Sequence, residues 1–483
     1  MKTKSILIIA IVLALAFNLS AQDVKSPGSG LVKKLDFPEI KWEIPVLGQD
    51  VVVDTLDNGM VLFMMPDHRL PVLDIRALIR TGEIYEPKDQ MGIASMTGSV
   101  MRSGGTTTYE PDSLNAILEY LAASVETSIG LEQGNASLNC LSKDIDRCLA
   151  LFADVIMNPA FKQDKIDQYK ENIKDDILRR NDNPNSIASR EFYHFIYGNH
   201  PYGSILEWDP VKKLTREDLM AFHKKYFVPN NMWLGITGDF EIADIKARLN
   251  KAFEGFKPAQ IDFPRIEMVR DEYHPGVNLI DKDVKQTTIY FGHLGVTEDN
   301  PDRFAIALMN YILGGGSFTS RMTTVVRSDM GLAYSVRSSF NTGSRDLGTF
   351  NAFCQTKNSS AYDAVYNMLD QIKKIRDEKV TPQELDGVKE SYINSFVFQF
   401  TSPGQIVGRL MNLEYDGMPR DFYQDYIENV RKVTLDDVQR VAKEYLHPDE
   451  MTFVLVGNTK NYADKMQEFG KVSNVVLEEP VVE

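Results

Sequence analysis

The chain has 483 residues, with 68 acidic against 53 basic side chains and a formal net charge of −15. That balance argues against nucleic acid as a partner, because phosphate binding needs concentrated positive charge; otherwise it speaks only to solubility. Cys140, Cys148 and Cys354 are too few and too odd in number for a disulfide framework, and a chain this long builds cores without one, so free buried thiols are expected.

Met1–Ala21 has the three parts of a secretory signal peptide: Lys2 and Lys4, an apolar run from Ile6 to Phe17, and Leu19-Ser20-Ala21 before Gln22. The run is short for a bilayer, so a cut after Ala21 is expected, giving a periplasmic or secreted protein with no stable membrane insertion afterwards. Residues 22–50 read either as an extended arm that drapes on a partner or as a disordered lead-in. Strands are expected at Val51–Leu56, Val61–Met65 and Leu73–Arg80, followed by helices rich in Leu, Ile and Met. A helix capped by Thr215 then runs to Tyr226, and an apolar strand Met232–Thr237 stops at Gly238.

Residues 258–276, punctuated by proline and alternating charge, read as a linker. Beyond it come strands Val277–Asp281 and Thr287–Gly292. A helix Ser320–Asp329, a left-handed cap at Gly331 and a strand Leu332–Phe340 follow. A Thr434-capped helix to Tyr445 and a strand Met451–Val456 close the pattern, and residues 472–483 read as a loose tail.

The two halves are related. Val211-Lys212-Lys213-Leu214-Thr215 is answered by Val430-Arg431-Lys432-Val433-Thr434, and the register holds without a gap through Tyr226 with Tyr445, Pro229 with Pro448 and Gly238 with Gly457. So long a period suits two duplicated domains, expected over residues 51–257 and 277–471. Alternating strand pairs and helix pairs give an α+β class, each half a mostly antiparallel sheet with helices packed on one face.

Leu56-Asp57-Asn58-Gly59-Met60, Pro66-Asp67-His68-Arg69, Arg80-Thr81-Gly82-Glu83-Ile84-Tyr85-Glu86 and Gly92-Ile93-Ala94 together resemble the pitrilysin/insulinase type of zinc metallopeptidase, over about Val51 to Thr459. In that family the Gly-hydrophobic-Ala leads into His-x-x-Glu-His on a helix, two histidines binding zinc and the glutamate activating water. Here the ligand positions fall on Ser95 and Ser99 and the base position on Gly98. Neutral hydroxyls are poor zinc ligands and glycine accepts no proton. The third ligand position falls on Asp176, but Asp175 and Asp176 also stand four before Arg179 and Arg180, the spacing of ordinary helix-surface ion pairs. The histidines include no pair at metal-binding spacing, so no metal is expected in this chain.

Arg327 and Tyr334 resemble the family's substrate-holding Arg and Tyr, donors suited to a peptide carbonyl and its developing oxyanion. The residues by themselves favour a plain role, arginine on a helix dipole and tyrosine in a core, and only the resemblance tips the reading toward function. Gly314, Gly315 and Gly316 match the glycine-rich stretch that guides substrate in the related processing peptidases; they lack the Gly-Lys-Ser/Thr ending of a phosphate loop. The resemblance thus implies a clamshell that is the non-catalytic, substrate-binding subunit of a heterodimeric zinc metalloendopeptidase. It would carry no cofactor itself, with zinc in a homologous partner subunit, and would take unfolded peptides by adding a strand to a sheet edge. Two other readings stay open: a zinc-free homodimeric peptide-binding or scaffold protein, and an active metallopeptidase with unrecognised ligands.

Overall fold

Strands β1 (Val52–Thr55), β2 (Val61–Pro66), β3 (Val72–Ile79), β4 (Ser124–Ile129), β5 (Gly134–Leu141) and β6 (Met232–Gly238) form one sheet in the order β1-β2-β6-β3-β5-β4. A second sheet has the order β12-β7-β11-β8-β10-β9, from β7 (Gly276–Asp281), β8 (Gln286–Leu294), β9 (Ala333–Asn341), β10 (Thr349–Lys357), β11 (Thr452–Gly457) and β12 (Val472–Asn474). The duplication is explicit in the pairing: β6 lies parallel to β2 and antiparallel to β3, as β11 lies parallel to β7 and antiparallel to β8. This computed structural model describes residues 43–270 and 272–482, and Ile44–Glu483 form one compact unit. The expected signal peptide and most of the expected arm lie outside the described residues.

Thr215 and Thr434 each accept the backbone N–H of the residue three on, Asp218 at 3.2 Å and Asp437 at 3.1 Å, and each carboxylate returns to the threonine N–H. These reciprocal bonds satisfy two otherwise orphaned donors and fix both helix starts. The last segment departs from expectation. Val472–Asn474 are a strand, not part of a loose tail: they pair in parallel with β7, and Val475 N–H donates to Leu279 O at 2.8 Å. Three residues carry no readable periodicity, whereas the unpaired backbone along β7 supplies the drive to dock them.

Strand alternation divides each sheet's apolar residues between its two faces. Leu62, Met64 and Ile75 pack with Met96, Leu149 and Phe152 of their own half, and Leu279, Ile289 and Leu455 pack with Met309, Met368 and Ile372 of theirs. The opposite faces are covered by exchange. The helix Pro403–Asp416 lays Val407, Leu410 and Met411 on Phe63 and Leu78 of the first sheet. The helix Pro184–Tyr197 lays Ile187, Phe192 and Ile196 on Val454 and Val456 of the second. Gly235 permits the first contact, since a methyl there would come within 2.7 Å of the Val407 side chain. The three cysteines are buried and unpaired, and among the described residues no helix is long and apolar enough to cross a membrane.

Candidate functional site

The helix Ile93–Ser103 starts from Gly92, in left-handed backbone at φ 93°. Its first donors are met by one carboxylate: Glu86 accepts Gly92 N–H at 2.9 Å and Ala94 N–H at 2.6 Å. Burial pushes the Glu86 carboxyl up to about 7, with those two N–H groups pulling the other way and Glu83 adding repulsion. Ser95 spends its hydroxyl on Gly92 O at 3.2 Å, and a cavity of 290 Å³ opens beside it, lined by Glu83, Glu86, Lys88 and Tyr202.

Gly98 is closed off completely. A methyl on it would lie 2.3 Å from Ile129 N and 2.7 Å from Ser128 C, and its carbonyl accepts Thr127 Oγ1–H at 2.6 Å. The space beside Gly98, the residue expected to match the family's general base, is therefore filled by the backbone of edge strand β4. Ser99 offers its carbonyl to Ser103 Oγ at 2.9 Å. Asp176 is exposed on the helix Gln163–Arg179, and Arg180 pairs with Glu207 at 2.9 Å rather than with Asp176. Tyr169 on that helix faces Ser95 and lies within reach of the charge of Asp176, which sets these two expected ligand positions in the same neighbourhood. Serine hydroxyls and one solvated carboxylate do not fit zinc, and no three His, Cys, Asp or Glu side chains cluster for a metal among the described residues.

The second half presents a different geometry. Thr323–Asp329 winds as a π-helix, wider than the expected α-helix, and ends before Gly331 at φ 63°, the left-handed turn that leads into β9. Across this corner the Arg327 guanidinium carbon stands 4.7 Å from the Tyr334 ring centre and 4.5 Å from that of Phe318. Tyr334 is 81% exposed and Phe318 64%, so neither fills a core. Arg327 and Tyr334 have no hydrogen-bond or ion-pair partner among the described residues; stacking alone orients the guanidinium and leaves its donors free. Phe318 was not legible as a site residue, since an aromatic after a glycine run carries no chemistry of its own.

A cavity of 530 Å³ adjoins the pair, lined by Asn310, Gly314, Gly315, Arg327 and every residue of β9 from Tyr334 to Asn341. Successive strand residues point to opposite faces, so a cavity touching all of them must run along the strand's edge. β9 is indeed the outer strand of its sheet, bonded only to β10. Two of its carbonyls are already met by side chains, Val336 O by Thr323 Oγ1 at 3.3 Å and Ser338 O by Asn310 Nδ2 at 3.4 Å. Gly314 lets the glycine turn touch the strand, a methyl there falling 2.5 Å from Ser338 N. Gly316 packs on Tyr311 instead and does not line the cavity.

The halves also meet at a polar junction. The loop after β9 brings Asp346 within 3.6 Å of His200 Nε2, and Asp346 accepts Val269 N–H at 2.8 Å. Arg345 donates to Tyr85 Oη at 3.2 Å, and Tyr415 donates to Glu132 O at 2.9 Å.

Two duplicated α+β halves, one with its metal-motif helix closed by backbone and the other with an exposed Arg–Tyr corner, define a peptidase-like shell without the peptidase's own metal ligands. A family model described as "Insulinase (Peptidase family M16)" matches residues 67–209, and one described as "Peptidase M16 inactive domain" matches residues 213–392. The chain belongs to peptidase family M16, as a member of the inactive type. Among its relatives, an "Uncharacterized zinc protease" of Rickettsia felis is 25% identical over 69% of this chain and 80% of its own length. The "Non-peptidase homolog YmxG" of Helicobacter pylori is 24% identical over 82% of this chain and 91% of its own. The crystal structure of a peptidase M16 inactive domain from Pseudomonas fluorescens superposes with a TM-score of 0.76 at 25% identity, covering 84% of this chain and 98% of that one.

Proposed function

We propose that this chain is the substrate-binding, non-catalytic subunit of a heterodimeric zinc metalloendopeptidase that acts on unfolded peptides outside the cytoplasm. One observation carries the reading: Arg327 and Tyr334 are held at the rim of an edge-strand cavity with their donors free, while the base position at Gly98 has no room for a side chain. A guanidinium and a phenol so placed suit a peptide carbonyl and the negative charge that grows on it during hydrolysis. The cavity along β9 suits an extended chain, which would meet the strand's backbone where Thr323 and Asn310 have not already done so. Zinc and the water-activating carboxylate belong to a homologous partner subunit. The extracytoplasmic assignment rests on the sequence of Met1–Ala21.

The test is purification of the chain from its native cells, with mass spectrometry of whatever arrives in equal amount. A homologous chain with an intact His-x-x-Glu-His is the expected result, and Arg327→Ala should then reduce turnover by the assembled pair without altering assembly. Recovery of this chain alone, as a homodimer, overturns the proposal in favour of a zinc-free peptide-binding or scaffold protein. That second reading is favoured by the relative named a non-peptidase homologue. Nothing in the packing around Gly98 favours an active metallopeptidase with other ligands.

A further inference from the structure

The cavity along β9 is lined by two arginines, Arg327 and Arg337, and by no acidic side chain, in a chain whose net charge is −15. Three other arginines of the same half are held by carboxylates: Arg303 by Glu298 at 2.9 Å, Arg321 by Glu384 at 2.7 Å, Arg440 by Asp302. The two in the cavity are not. Arg337 lies over the Phe353 ring at 4.1 Å, as Arg327 lies between Phe318 and Tyr334, and neither has a carboxylate partner among the described residues. A guanidinium steadied by an aromatic face keeps its planar fork of donors available, the geometry that matches a carboxylate.

Charge and shape then point the same way. An acidic surface repels an anionic ligand everywhere except where positive groups are concentrated in a concave site, and there the field is focused. The remaining polar lining of Ser335, Ser338, Ser339 and Asn341 offers neutral hydrogen-bonding groups and no competing negative charge. Because Arg327 sits at the corner and Arg337 projects from the strand itself, a ligand reaching both must lie along β9.

We infer that this cavity selects anionic extended peptides, seating carboxylates on Arg327 and Arg337; the inference rests on the substrate-binding reading above and names the class of peptide. The carboxylate can come from Asp or Glu side chains or from a free C-terminus, and the experiment separates the two. Fluorescence anisotropy on the mature chain would use one short labelled extended peptide in four forms: Glu or Gln at alternate positions, each with a free or an amidated C-terminus. Expected is binding on the order of tenfold tighter for a carboxylate-bearing form than for the Gln amide, an advantage that shrinks with added salt. The Glu amide being preferred assigns the side chains, and the Gln acid being preferred assigns the terminus. Arg337→Gln should reduce that advantage severalfold with an unchanged circular dichroism spectrum, as its side chain is exposed and unpaired. Equal binding of all four forms, lost on Arg327→Ala, overturns the anion preference and leaves the substrate reading standing. Binding of none removes both.

Discussion

Gly98 and Ile129 stand so close that a methyl on the first would lie 2.3 Å from the backbone nitrogen of the second. Gly314 and Ser338 N repeat the relationship in the other half at 2.5 Å. In both halves, then, a glycine lets a helical segment rest directly on an edge strand, β4 or β9. The first half, where the sequence match expects the family's glutamate, has the same closed packing as the second.

Reinstating the motif should therefore fail. Gly98→Ala is expected to cost about 1–3 kcal/mol in urea denaturation, the usual range for overpacking, and Gly98→Glu more. The combined Ser95→His, Gly98→Glu, Ser99→His variant should show no peptide hydrolysis with added zinc. A folded, active triple variant would sink the argument.

Phe318 should behave as a positioning residue for Arg327. A cation over an exposed ring is worth about 0.5–1 kcal/mol, so under the proposed function Phe318→Ala should lower turnover by the proposed heterodimer about two- to fivefold, with rescue by Phe318→Tyr. Arg327→Lys should cost more, because an ammonium lacks the planar fork. If Phe318→Tyr is as impaired as Phe318→Ala, the ring is not what orients Arg327.

Glu86 gives a pH dependence of definite sign. Its carboxyl is raised to about 7 in the folded chain from an ordinary value of 4.5, so between those limits the folded state holds more protons than the unfolded one. Stability from this group is thus fully present below about pH 4.5, falls as pH rises through 7 and is level above that. Glu86→Gln should gain stability relative to the parent chain by about 2–3 kcal/mol between pH 5 and pH 8. Thermal melts of both proteins across that range check it; parallel curves would refute it.

The sequence shows its duplication, strands and threonine caps because each is a local pattern of residue type and period, legible without tertiary context. The absence of metal ligands at Ser95, Gly98 and Ser99 is equally plain, since it needs only residue identity. The closure over Gly98, the stacking of Phe318 on Arg327 and the docking of Val472–Asn474 are distances between segments remote in the chain. A glycine marks a possible close approach without saying what approaches. The π-helical widening before Asp329 was hidden for a related reason, because its apolar spacing reads as ordinary helix.

Asp346 ties the polar junction to the linker. Asp346→Ala leaves Val269 N–H without its carboxylate acceptor and removes the charge facing His200, at a cost of about 1–3 kcal/mol. Because that hydrogen bond fastens the 258–276 segment, limited proteolysis should cut there faster in the variant than in the parent chain. An unchanged cleavage rate would mean that other contacts hold the segment.

The exchanged helices make a stronger demand. Phe192 and Leu410 are fully buried, yet each lies on the sheet of the opposite half, so neither sheet keeps both faces covered if the other half unfolds. Burial of such side chains is worth about 1.5–3 kcal/mol apiece, and leaving a sheet face bare forfeits several at once. The two halves should consequently melt together in one calorimetric transition, in spite of their duplicated architecture. Phe192→Ala, placed in the first half's chain, should cost about 3–5 kcal/mol and lower that single transition as a whole. Two resolved transitions, with the substitution shifting only one, would show that the exchanged helices do not couple the halves.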